Sequence, residues 1–166
     1  EVLVCDYRDI VGTFDAIVSV EMIEAVGEKY WPDYFETLAR LLRPGGAIAV
    51  QSILMSHERY LATRHSYGWI QKHIFPGGLI PSEHAIEQHA AAVGLKVSTY
   101  HHFGADYAET LRRWRAQFIT RWPMIRSDKF GDDFRRTWEF YLAYCEAGFR
   151  TDYLDVAQVR LEPVAS

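Results

Sequence analysis

Residues 14–54 read FDAIVSVEMIEAVGEKYWPDYFETLARLLRPGGAIAVQSIL, and this stretch decides the fold. FDAIVSV is a near-continuous apolar run, as expected for a strand covered on both faces. Trp31-Pro32-Asp33 places a proline where a first helical turn tolerates it. Phe35, Leu38, Leu41 and Leu42 then recur at helical spacing. RPGG stops that helix, and GAIAVQSIL is a second buried strand. Strand, helix and strand joined by short turns make a βαβ unit, so the two strands are expected to run parallel.

Outward from this unit, EVLVCD reads as a strand on its N-terminal side. SEHAIEQHAAAVG reads as a helix with a serine cap and a glycine stop, and LKVSTYHHF as a further strand. Tyr107, Leu111, Trp114 and Phe118 form one helical stripe. Phe134, Trp138, Tyr141, Leu142, Cys145 and Phe149 form another. DVAQVRLEP alternates and reads as a last strand. The expected architecture is an open α/β sheet with a helical insertion before its final strand.

Composition narrows the function classes. The 166 residues suggest one domain, at roughly 100–200 residues each. The net charge of -4 and the absence of pooled basic residues argue against nucleic acid as a partner. LRRWRAQFITR gathers Arg112, Arg113, Arg115 and Arg121, but its apolar residues keep helical spacing, so it reads as a solvated helix face. The two cysteines, Cys5 and Cys145, have no metal-ligand spacing, and no metal site is expected. Few cysteines and no signal peptide point to a reducing cytoplasm. No apolar run approaches the ~20 residues of a membrane helix.

Open parallel sheets bind ligands beyond the carboxyl ends of their strands. Three such ends are readable: Asp6, Tyr7 and Arg8 after the first strand; Val20, Glu21 and Glu24 after the second; Gln51, Ser52 and Ile53 in the third. Glu21 and Glu24 stand against an apolar strand end without a partner base. A functional role is the favoured reading, with helix-dipole compensation as the physical alternative. No glycine-rich strand-to-helix loop occurs, since Gly45-Gly46 and Gly77-Gly78 sit in turns of another context. The expectation is the C-terminal part of one domain, lacking its first strands and cofactor loop.

The segments DYRD, FDAIVSVEMIEAVG, LLRPGG, WIQKHIFPGGLIPS, FGADYAETLRRW and FYLAYCEAGFR together resemble the cyclopropane-fatty-acyl-phospholipid synthase family. That family includes mycolic acid cyclopropane synthases and 10-methyl fatty acid synthases. The resemblance implies a Rossmann-like class I methyltransferase sheet using S-adenosylmethionine. It also implies transfer of a methyl or methylene group to the double bond of an unsaturated phospholipid acyl chain, at the inner membrane face, in a possible homodimer. Asp6 and Tyr7 lie where the family contacts the adenine end of the cofactor, with Arg8 and Val20 beside that site. A bicarbonate ion is implied near the reacting carbon, held at the positions of Glu24, Gln51, Ile53 and Tyr107. Cys145 matches a cysteine discussed as an active-site residue, although its place in an apolar stripe reads as a buried structural thiol.

Two departures from the family pattern carry chemistry. Gln51 stands where the family has histidine, and Glu21 where cyclopropane synthases have a small residue. An imidazole is lost and a carboxylate is gained. The expectation is that Glu21 takes over from bicarbonate as the base, with Glu24 as counter-charge to a carbocation. Tyr67, Trp69, Ile70, Ile74, Phe75, Leu79 and Ile80 supply an apolar lid or channel wall as well as core. An amine methyltransferase of similar fold and a non-catalytic binding module are the competing readings.

Overall fold

The structure is a computed structural model and describes residues 2–164. The βαβ unit forms as read. β1 (Phe14–Val20) is followed by a single turn, α1 (Ile23–Val26), then by α2 (Trp31–Leu41) and β2 (Leu42–Leu54). β1 and β2 run parallel, with Ile17 opposite Ile48 and Val20 opposite Gln51. Pro32 lies in the first turn of α2, and Trp31, Tyr34, Phe35, Leu38 and Leu41 are all buried along it. Large apolar side chains of this kind contribute about 1.5–3 kcal/mol each when fully buried. The indole Nε1 of Trp31 donates to the Ile23 carbonyl at 3.0 Å, which ties α2 to α1.

Beyond β2 come α3 (His57–Thr63), α4 (Trp69–His73), α5 (Glu83–Ala92), β3 (Leu95–His102), α6 (Gly104–Ile125), α7 (Asp132–Arg150) and β4 (Asp155–Pro163). Ser82 caps α5 by accepting from the Ala85 N–H, and Gly94, at φ +77°, follows it. The helical insertion before the last strand is the α6–α7 pair. Along α6, Arg112 and Arg113 pair with Glu109, as a solvated face would.

The sheet order is β1-β2-β4-β3, with β4 antiparallel to both of its neighbours. β1, β2 and β3 therefore point the same way, and their carboxyl ends share one edge with the start of β4. Pleating sorts the side chains by face. Ile48, Val50 and Leu54, with Ala157, Val159 and Leu161, join the main core with α2 and α5. Ile53 and Val156 point the other way, into a second core made by α6 and α7.

Three expectations need correction. Of EVLVCD, Glu1 lies outside the described residues, and residues 2–6 form no strand. They pair with no strand of the sheet, whose β1 edge stays unpaired among the described residues. Asp6, Tyr7 and Arg8 consequently do not end a strand. They belong to a 3-10 turn, Tyr7–Asp9, capped by Asp6 accepting from the Arg8 N–H. β1 is also not covered on both faces: Val18 is 72% and Val20 57% exposed. α2 and α5 lie on one face, and α6–α7 reach only the carboxyl end of the other. Finally, Trp114 is 52% exposed although Leu111 of the same stripe is buried, so the buried stripe of α6 is narrower than its apolar pattern. Among the described residues, no helix is long and apolar enough to cross a membrane.

Candidate active site

Glu21 follows the last residue of β1 and sits at φ +49°. A left-handed non-glycine residue costs on the order of 1–3 kcal/mol unless its surroundings hold it. Its N–H donates to the Gln51 carbonyl at 2.8 Å, continuing the ladder past the strand end. Its side chain is held equally firmly. The Tyr107 hydroxyl lies 2.9 Å from each carboxylate oxygen and donates to them. Gln51 Nε2 donates to Oε1 at 3.0 Å. Gln158, directly opposite Gln51 in the sheet, donates its Nε2 to Gln51 Oε1 at 3.2 Å. That contact turns the amide so that its N–H₂ end faces Glu21.

Glu24 lies in the first turn of α1. Its Oε1 accepts from the Ile53 N–H at 2.7 Å and from the Ser52 hydroxyl at 2.9 Å. Its Oε2 is buried with no partner. Burial pushes the Glu24 carboxyl above the usual range; these hydrogen bonds oppose that rise, and the Glu21 charge adds to it. An unpaired buried acceptor is costly, so this oxygen suits a cationic or proton-bearing ligand group. The Glu24 carbonyl accepts from the Leu79 N–H at 2.9 Å, which docks the IFPGGLIPS loop against the site.

Glu21, Glu24, Gln51, Ile53 and Tyr107 thus come together at the carboxyl edge, as the sequence indicates. The protons that the resemblance assigns to bicarbonate are already directed at the chain's own carboxylates. Gln51 and Tyr107 serve Glu21, and the Ile53 N–H serves Glu24. Burial, reinforced by hydrogen bonding to Glu21, pushes the Tyr107 phenol well above its ordinary value, so it remains a donor.

Other named residues stand apart. Cys145 packs in the second core with Tyr141, and burial pushes its thiol up to about 11. A thiol raised in this way stays protonated at neutral pH. Asp6 is ion-paired with Arg8 at 2.6 Å, which holds its carboxyl down to about 2. Neither bonds to the Glu21 cluster. Tyr7 packs edge-on against Tyr34, whose hydroxyl donates to Ser19 on β1 at 2.9 Å. Val20 presents its side chain to solvent. From the apolar segment, Phe75 meets Tyr141 at 6.0 Å and Trp69 meets Phe140 at 4.6 Å, so this wall is completed by α7. Among the described residues no group of His, Cys, Asp and Glu is arranged to hold a metal.

Sequence reasoning named Ser52 only as part of a strand end, with no role, and passed over Gln158. Ser52 is a hydroxyl on the main-core face of an apolar strand, a buried-polar signal that alternation exposes. Gln158 carries no signal until the register of β4 is known.

The description "Mycolic acid cyclopropane synthetase" belongs to the family that matches residues 1–159. Tuberculostearic acid methyltransferase UfaA1 of Mycobacterium tuberculosis is 53% identical over 162 residues, 95% of this chain and 37% of that protein. Cyclopropane-fatty-acyl-phospholipid synthase of Escherichia coli is 36% identical over 158 residues, 95% of this chain and 40% of that protein. Among solved structures, mycolic acid cyclopropane synthase CmaA1 complexed with SAH and CTAB superposes with a TM-score of 0.82 at 25% identity. That match covers 96% of this chain and 59% of CmaA1. A sarcosine dimethylglycine methyltransferase from Galdieria sulphuraria, at 15% identity and a TM-score of 0.73, shares the fold alone. The chain spans well under two thirds of each, in a Rossmann-like methyltransferase fold. It belongs to the mycolic acid cyclopropane synthetase family.

Proposed function

We propose that this chain forms the later part of an S-adenosylmethionine-dependent enzyme that alkylates the double bond of an unsaturated fatty acyl chain, with Glu21 as its base. The observation that carries this reading is the Glu21 carboxylate, gripped by Tyr107 and Gln51 beside the buried, half-satisfied carboxylate of Glu24. The UfaA1 relative is named for tuberculostearic acid and the Escherichia coli relative for phospholipid cyclopropanation, and both names point to acyl chains. The amine-methyltransferase alternative draws only on likeness of fold.

When bound, the cofactor supplies an electrophilic sulfonium methyl. Transfer of that methyl to the alkene would leave a positive charge on the adjacent acyl carbon, and the chain's own residues would have to stabilise and discharge it. Glu24, raised by burial and short of one hydrogen bond, offers that charge its counter-ion. Glu21 takes the proton, and its C–H electron pair quenches the cation. Removal from the new methyl with the charge on the neighbouring carbon closes a cyclopropane. After a hydride shift to that neighbour, removal of the same proton leaves a methylene branch. Both products lose the same methyl proton, so the outcome is set by whether the hydride shift precedes proton removal by Glu21. Tyr67, Phe75, Phe140 and Tyr144, all half-exposed or more, form an aromatic rim suited to a bilayer surface as the source of the acyl chain.

Bicarbonate depletion separates this reading from the family's anion-dependent pattern. In the enzyme carrying this chain, turnover should be unchanged when bicarbonate is removed and fall about 100-fold or more in Glu21→Gln. Lipid mass spectrometry reads which of the two products, cyclopropane or methylene branch, is formed. Activity that requires bicarbonate, or that survives in Glu21→Gln, defeats the proposal.

A further inference from the structure

Tyr107 reaches Glu21 only because α6 begins where it does, and α6 has no cap of its own: its N-cap residue, Phe103, has no polar side chain. The oxygen comes from another element. Asp155, the first residue of β4, accepts the Gly104 N–H on Oδ1 at 3.0 Å, together with the N–H of Val156 at 2.7 Å. Its Oδ2 lies 2.6 Å from His102 Nδ1, at the end of β3. The far nitrogen of that ring, Nε2, lies 3.5 Å from Glu83 Oε1 at the start of α5. The Phe103 N–H donates to the Val156 carbonyl at 3.0 Å, so backbone and side chain pin the same junction. The fit leaves no room at residue 104: a Cβ there would lie 2.5 Å from Asp155 Oδ1. This explains the glycine in FGADY by close approach, not by an unusual φ.

We infer that Asp155, oriented by His102, is a positioning residue that sets the Tyr107 hydroxyl against the Glu21 carboxylate. Gly104 and Tyr107 are one helical turn apart, so a shift of the first turn moves the phenol with it. Nothing else on α6 bonds to Glu21. The packing that remains for Tyr107, its ring 4.8 Å from that of Phe149, fixes a plane but aims no hydroxyl. The functional consequence rests on the reading of Glu21 as base; the placement of Tyr107 does not.

The experiment uses the enzyme carrying this chain, with Tyr labelled at Cζ, and the variants Asp155→Asn, His102→Ala, Glu21→Gln, Tyr107→Phe and Asp155→Asn/Tyr107→Phe. His102 is partly exposed, so its removal spares the fold if Asp155→Asn does not. The Tyr107 Cζ resonance, assigned by its loss in Tyr107→Phe, should move in Glu21→Gln and also in Asp155→Asn and His102→Ala. Asp155→Asn should lower kcat about tenfold with KM within about twofold, and should have no further effect on kcat in the Tyr107→Phe background. A Cζ resonance that responds to Glu21→Gln but to neither Asp155→Asn nor His102→Ala overturns the inference. Equal loss of kcat from Asp155→Asn in both backgrounds overturns it too. A moved resonance with unchanged kcat would leave Asp155 as the positioner and refute Glu21 as the base.

Discussion

Glu24 shows most directly how a residue useful for catalysis is a burden on the fold. Its carboxyl is buried, its second oxygen is unpaired, and its protonation lies above that of an exposed glutamate. The folded state therefore holds the Glu24 proton more tightly than the unfolded chain does. Between the ordinary carboxylate value and the raised one, stability falls as pH rises and the group ionises. Glu24→Gln keeps the acceptor for Ile53 and Ser52 and removes the buried charge. It should hold or raise Tm at neutral pH while lowering kcat by about 100-fold or more. Paired calorimetry and turnover measurements on the enzyme carrying this chain check both halves. A variant that loses stability and activity together would make Glu24 structural. The same carboxylate contributes to a pH limit, because turnover should decline on the acid side as Glu24 takes up its proton, and the part of that limb due to Glu24 should be absent from the residual activity of Glu24→Gln.

At the scale of elements, periodicity and punctuation located what is local. The β1–α2–β2 unit, the Ser82 cap of α5 and all of β4 were readable because each is written in neighbouring residues. Pairing is not written there. DVAQVRLEP announces a strand but not that it inserts antiparallel between β2 and β3, and only that register sets Gln158 against Gln51. EVLVCD has the composition of a strand, but residues 2–6 pair with no strand here, and composition alone does not supply a partner. In the site, Glu21 and Glu24 were legible as charges at an apolar strand end, whereas Asp155 was invisible because its task depends on two elements remote in sequence. RPGG falls between these cases. It reads as a helix stop, yet Gly46 also lets β2 approach β1: a Cβ there would lie 2.7 Å from the Asp15 carbonyl oxygen and 2.8 Å from Leu42 Cδ1. Backbone cannot step aside as a flexible side chain can. Gly46→Ala should therefore cost about 1–3 kcal/mol, measured by denaturant unfolding. Gly45→Ala meets no atom but must hold φ +79°, so its cost should come from backbone strain without loss of the β1–β2 approach.

The molecule as a whole is one-sided. One sheet face carries the main core with α2 and α5; the other is covered only at its carboxyl end and leaves Val18 and Val20 exposed, and Val2, Leu3, Val4 and Val11 are exposed as well. Exposed apolar surface on this scale marks a contact surface in a soluble fold. The chain spans 37–40% of the length of UfaA1 and of the Escherichia coli synthase. The glycine-rich loop that cradles a cofactor in such folds is not among these 166 residues. We propose that the acids and the phenol of the carboxyl edge do not by themselves anchor the cofactor. The 166 residues expressed alone should bind S-adenosylmethionine at least about 100-fold more weakly than the enzyme carrying them, a difference of roughly 2.7 kcal/mol in binding free energy. They should also bind an apolar dye and self-associate through the β1 face, with Val18→Lys/Val20→Lys reducing both without changing the circular dichroism. Titration calorimetry and sedimentation read these outcomes. Tight stoichiometric cofactor binding by a monodisperse 166-residue chain would mean that the carboxyl edge suffices to hold the cofactor, and that the bare face needs no covering.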